Sequence, residues 1–231
     1  MLRKGNDYYN QHMYRAYIYS GPGIGEEREV SDWTVSNNTM VLAPVFTTNI
    51  ASNSYYELHY IFTADEYLKA INLAIESMGA KYLIDIMDIT SITLSADTYE
   101  YELPLTMLYL EKVTTEHEAG GDVFEVEDEI DPRDYTIIRA YPPILKLHED
   151  YYSITAGKDL RLEGQGAQSV VDDDTDVISL PPSWLVQKAI TFLPSSKIQS
   201  NKLDETYRRA LILSSNEPRV WPSPKAQRVI E

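Results

Sequence analysis

The sequence predicts an α+β fold: a small helical bundle with a β-rich N-terminal segment and a large β-rich insertion. Three observations carry this. Apolar and polar residues alternate in short runs over residues 14–62 and again over 82–178, the period of half-buried strands. The period lengthens to that of an amphipathic helix near 63–79, 183–193 and 203–215. A chain of 231 residues with 43% hydrophobic content can bury one large core or two small ones. The expected organisation is a β-rich segment 1–62, a helical core 63–81 plus 179–216, an insertion 82–178 and an extended arm 217–231.

Each element has a local reason. In "YRAYIYSGPGIGEEREVSDWTVSNNTMVLAPVF" the runs break at Gly21-Pro22-Gly23 and at Asn37-Asn38. The Asn pair suits a tight hairpin because Asn tolerates positive φ. "SYYELHYIF" (54–62) sets Tyr56, Leu58, Tyr60 and Phe62 on one face, a strand with one buried side. "TADEYLKAINLAIESMGA" (63–80) then stacks Tyr67, Ile71, Ala74, Ile75 and Met78, with a Thr63/Glu66 capping box and Gly79 to end the helix. Because capping accounts for Glu66, it is not a candidate acid. Pro104 interrupts the strands that follow and marks an edge or a change of direction. Further short strands are expected at 136–140, 144–147, 151–155 and 159–171. Pro181-Pro182 opens the helix "SWLVQKAITFL", and "LDETYRRALILSS" is the last helix. "NEPRVWPSPKAQRVIE" carries three prolines and reads as an arm.

Charge narrows the function. The formal net charge is −16; residues 1–181 hold 12 Lys and Arg against 32 Asp and Glu, and residues 182–231 hold 8 against 4. Such a body lacks the basic footprint that phosphate binding needs, so specific nucleic-acid binding is not expected. An acidic body with a mildly basic tail suits complementary contacts between protein subunits. Eighteen tyrosines against four phenylalanines point the same way, since Tyr works at half-wet surfaces. With no cysteine, disulfides and thiolate metal sites are excluded. No apolar run is long enough to span a bilayer, and "MLRK" leads into polar residues rather than a leader.

The motifs give little chemistry. Asp172, Asp174 and Asp176 alternate as calcium-loop ligands do, but Val177 stands where the turn glycine belongs and Ser183 where the closing glutamate belongs. They remain weak metal candidates beside the plainer reading, a polar approach to a helix. His12, His59, His117 and His148 include no i,i+4 pair, and "GPGIGEE" has neither a phosphate-loop lysine nor a dinucleotide fingerprint. No catalytic residue and no cofactor is assigned, and the expectation is that the chain is not an enzyme.

Four stretches in order, "GEEREVSDWTVSNNTMVLAPVFTT", "SYYELHYIFTADEYLKAINLAIESM", "YEYELPLTMLYLEKV" and "DVISLPPSWLVQKAITFL", resemble virion neck proteins of tailed bacteriophages, the head–tail adaptor or connector family. The resemblance rests on Tyr56-Glu57-Leu58 leading into Ala70-Ile71-Asn72, on Tyr101–Pro104 and on Leu180–Pro182. It implies a homo-oligomeric ring, commonly a dodecamer, between the portal protein and a tail or stopper protein, in the neck of a virion made in the host cytoplasm. DNA would slide through an acidic lumen without being bound. The arm would dock on a neighbour, which makes Arg219, Trp221, Lys225 and Arg228 the candidate partner interface. Two alternatives stay open: a minor capsid, tail or baseplate component with a receptor- or glycan-facing β module, and, more remotely, a carbohydrate-active enzyme.

Overall fold

The computed structural model describes residues 4–173 and 175–229, and its helices and antiparallel sheets make the fold α+β. Two compact units share the chain: one runs through Ser77 and resumes over Val170–Glu217, the other spans Met78–Ser169 and takes up the chain again from Pro218. Among the described residues no helix is long and apolar enough to cross a membrane.

The first unit begins with a short helix α1 (Tyr8–Gln11) and strands β1 (Arg15–Ser20), β2 (Glu27–Thr34), β3 (Thr39–Ala43) and β4 (Tyr55–His59). They form an antiparallel sheet ordered β3-β2-β1-β4. Asn38 closes the β2–β3 hairpin with φ 53°, the conformation its side chain tolerates best. Ala16, Ile18, Val30 and Trp33 are buried on this sheet, and Tyr9 from α1 meets the Trp33 ring edge-on at 5.5 Å. The one-sided burial expected along 54–62 does not occur. Tyr56 and Tyr60 are 48% and 51% exposed, because β4 is an edge strand.

Helix α2 (Ala64–Met78) starts where the sequence places it. Thr63 N–H donates to Glu66 Oε2 at 2.9 Å and Glu66 N–H donates to Thr63 Oγ1 at 3.2 Å, the reciprocal capping box. Gly79 ends it at φ 47°. Its buried stripe is Ala70, Ala74, Ile75 and Met78, whereas Ile71 is half-buried and Tyr67 exposed. Ala74, Ile75 and Met78 are thus buried as the sequence places them, and the stripe takes in Ala70 in place of Tyr67 and Ile71.

Leu180 is buried ahead of α3 (Pro182–Ile190), which carries proline at its first position. A short helix α4 (Ser195–Ser200), too brief to show a period, precedes α5 (Asp204–Ser214). Trp184 Nε1–H donates to Ser214 O at 3.1 Å and ties α3 to α5. Lys197 of α4 reaches Glu66 Oε2 at 2.6 Å, binding the late helices to the start of α2.

The second unit contains β5 (Leu83–Asp88), β6 (Glu100–Glu102), β7 (Met107–Thr115), β8 (Tyr135–Ile138), β9 (Ile144–Leu147), β10 (Leu160–Ala167) and β11 (Gln227–Arg228). One sheet is ordered β11-β7-β10-β5 and the other β6-β9-β8. Both feed one core, with Met107, Leu110, Val113, Leu160 and Leu162 from the first and Tyr135, Leu145 and Leu147 from the second. Pro104 opens the turn between β6 and β7, which lie in different sheets, so it does mark a change of direction. Residues 151–155 form no strand. Tyr152 and Ile154 still pack against the core, so the alternation is real while the backbone ladder is absent.

The division differs from the sequence reading in three places. Residues 78–81, expected in the helical core, belong with the second unit. Residues 170–178 belong with the first unit rather than the insertion. The expected free arm returns to its own chain: Val220 N–H donates to Lys81 O at 3.1 Å, β11 pairs with β7, and Val229 is fully buried in the second core. A free C-terminal arm would have had to leave Val229 in water.

Candidate functional site

The central strand β1 organises the most elaborate polar cluster of the first unit. Tyr17 is registered opposite Glu27 on one side and Glu57 on the other, and His59 lies two residues beyond Glu57, so strand pleating turns all four to one face. His59 Nδ1 is 2.7 Å from Glu27 Oε1, and its Nε2 is 2.7 Å from Glu57 Oε1. Its ring stacks on Tyr17 and meets Tyr67 edge-on, both at 5.5 Å between centroids. Only 9% of the His59 side chain is exposed. Glu27 Oε1 also accepts the Ala64 N–H at 3.2 Å, which locks the sheet to the first residue of α2.

A pocket of about 440 Å³ opens beside this cluster, walled by Tyr17, Tyr67 and Ile71 and rimmed by Glu57, Asp172 and Asp173. Burial pushes the Tyr67 phenol above its ordinary value, and the charges of Glu57, Glu66 and Glu27 push it the same way. The pocket therefore sits in a negative field with aromatic walls. Both ring nitrogens of His59 are engaged by carboxylates, so the ring is held in place between β2 and β4. The groups left facing the pocket are the Tyr17 and Tyr67 rings and the rim carboxylates of Asp172 and Asp173.

Asp173 and Asp176 each spend one carboxylate oxygen on their own loop. Asp176 Oδ2 accepts the Asp172 and Asp173 N–H groups at 2.6 and 3.3 Å. Asp173 Oδ1 accepts the backbone N–H and the hydroxyl of Thr175 at 2.7 and 2.6 Å, and these bonds lower the Asp173 carboxyl below its ordinary value. Asp174 lies outside the described residues. The segment is the approach to Leu180 and α3. Among the described residues, the group of three whose ligand atoms gather within 4.8 Å of one another is instead His117, Glu125 and Glu127, all exposed.

Arg219, Trp221, Lys225 and Arg228 are all exposed on the second unit, and Trp221 is 75% accessible. Their backbone is fixed by the Val220 bond to Lys81, by Ser223 N–H donating to Gln165 Oε1 at 2.8 Å, and by β11. The His59 cluster escaped the sequence reading because Glu27 reaches it only through strand register. The one available signal was Glu57-x-His59, the i,i+2 spacing that shares a strand face.

The fold and these sites define an acidic, two-unit α+β protein with an aromatic-walled, carboxylate-rimmed pocket on one unit and a fixed basic-aromatic strip on the other. No protein-family model matches the chain, and no curated protein matches it either.

Proposed function

We propose that the chain is a structural virion protein of a tailed phage, a head–tail connector whose copies form a ring between portal and tail through which DNA passes. The observation that carries this reading is the outward-facing apolar and aromatic surface on both units of a strongly acidic chain. Ile212 on α5 is 73% exposed, Val186 on α3 is 55% exposed, and Trp221 projects from the second unit. Large apolar groups held outward on regular elements are what a protein neighbour covers. A net charge of −16 keeps such a surface soluble and repels DNA phosphates, as a lumen through which a genome slides requires.

The test is immunogold labelling of intact particles with an antibody to this chain. Gold at the vertex between head and tail supports the connector reading. Gold at the tail tip or over the shell supports a tail, baseplate or capsid component instead. Absence of the chain from the particles' protein inventory defeats both. Removing residues 217–231 would also take Val229 out of a core, so the assay of incorporation uses Trp221→Ala, which leaves that core intact.

A further inference from the structure

We infer that the pocket beside His59 receives the Arg219 side chain of a second copy of this chain, with Trp221 of that copy closing over the pocket's apolar edge. The inference deepens the ring reading and rests on the self-association it requires. Charge is the first argument. On the pocket side, Asp65 is matched by Lys69 at 2.7 Å and Glu57 is hydrogen-bonded to His59, whereas Asp172 and Asp173 have no ion pair among the described residues. Arg219 has none either, and it is exposed. A guanidinium answers two unmatched carboxylates better than any neutral group, and it stacks on aromatic faces of the kind Tyr17 and Tyr67 supply.

Shape and order are the second. A volume of about 440 Å³ falls within the ~300–1,000 Å³ of ordinary side-chain and ligand pockets. Val220 is bridged to Tyr82, and its half-buried side chain alternates with the exposed Arg219 and Trp221, which therefore project from the same side of the segment. A strip fixed in this way loses little conformational entropy on docking. Trp and Arg are also the residue types that dominate binding energy at interfaces. The two surfaces are different patches, so each copy offers a pocket to one neighbour and a strip to another. Such heterologous contacts close into rings or run on as filaments.

The chain has no cysteine, so introduced thiols report without background. The experiment treats the full-length double variant Asp172→Cys/Arg219→Cys with a bifunctional thiol reagent long enough to stand in for the arginine side chain, with Asp172→Cys/Glu149→Cys as control, and reads it by denaturing electrophoresis, peptide mapping and native mass spectrometry. A ladder of covalent oligomers joined 172 to 219, at least about ten-fold above the control, is expected; so is a comparable loss of association in uncross-linked Arg219→Glu that Asp172→Arg restores. Because Arg219 is exposed, that second series does not depend on the thiol variants folding. Oligomers without the 172–219 link, or a link only within one chain, overturn the contact and leave the ring reading standing. A monomer at every concentration overturns both this contact and the self-association beneath it, while particle labelling judges the virion location separately.

Discussion

Asn72 clamps Val171 from both sides: its Nδ2 donates to the Val171 carbonyl at 2.8 Å and its Oδ1 accepts the Val171 N–H at 2.9 Å. The amide thus copies a β-ladder pair and fixes the returning chain against α2 just before the aspartate run. Val171 is itself buried, so an unpaired backbone group there has no water to turn to. Asn72→Ala should cost about 1–3 kcal/mol, the range for stranding buried polar groups. Asn72→Asp keeps the acceptor but sets a carboxylate oxygen against the Val171 carbonyl, so it should cost at least as much. Urea unfolding of the two variants checks this, and unchanged stability in both would mean the clamp is not read correctly.

On β10, Gly164 and Gly166 stand where the neighbouring strand comes closest. A Cβ at Gly164 would run into the Tyr109 carbonyl, and one at Gly166 into the Thr106 carbonyl and Ile86 Cδ1. Backbone atoms cannot rotate aside as a side chain can. Gly164→Ala and Gly166→Ala should each destabilise the second unit by about 1–3 kcal/mol or more, the cost of overpacking. Gly25→Ala is a useful contrast: open space surrounds its Cβ, and its penalty should come only from the φ of 84°. Thermal unfolding of the three variants separates crowding from backbone strain.

Helix α2 was legible because three local signals agree on it: the Thr63/Glu66 box, the helical period and Gly79. Most of its buried stripe was legible too, at Ala74, Ile75 and Met78; Ala70 was not, since a lone alanine carries little weight in a pattern of large apolar residues. The lead-in at Leu180–Pro182 could be read from proline geometry alone. The return of the C-terminal segment could not, because its anchors at Val220 and Ser223 are backbone donors and every residue has one. The His59 cluster failed for a related reason. Glu27 lies 32 residues from His59 and meets it only once β1 has paired with both β2 and β4.

Ile75 and Ile71 test where the stripe is centred. Ile75 is 2% exposed, while Ile71 is half-buried beside the pocket. Ile75→Ala should therefore cost about 2–5 kcal/mol, and Ile71→Ala clearly less. The reverse order in chemical denaturation would restore the stripe centred on Tyr67 and Ile71.

Glu116 and His117 are neighbours with opposite links to pH. The Glu116 side chain is fully enclosed, and its carboxylate accepts N–H groups from Asp122 at 2.7 Å, Gly120 at 3.1 Å and Asp159 at 3.2 Å. The Asp122 bond leads in holding its carboxyl below the ordinary 4.5, against burial that pulls it up. A folded value below the unfolded one means the stabilisation is complete above about 4.5 and is lost as pH falls toward the depressed value. His117 Nδ1 sits 2.9 Å from Asp128 Oδ2, and that hydrogen bond raises the imidazole above 6.5. Its contribution is complete below 6.5 and is lost as pH rises through the raised value. Glu116→Gln should flatten the acid limb of the stability curve while lowering the plateau, because a neutral amide offers one acceptor oxygen to donors that two carboxylate oxygens now hold. Asp128→Asn should remove the slope that begins above 6.5 and leave the acid limb in place. Unfolding midpoints measured from pH 3 to pH 9 decide both; an acid limb unchanged in Glu116→Gln would place the responsible carboxylate elsewhere in the fold.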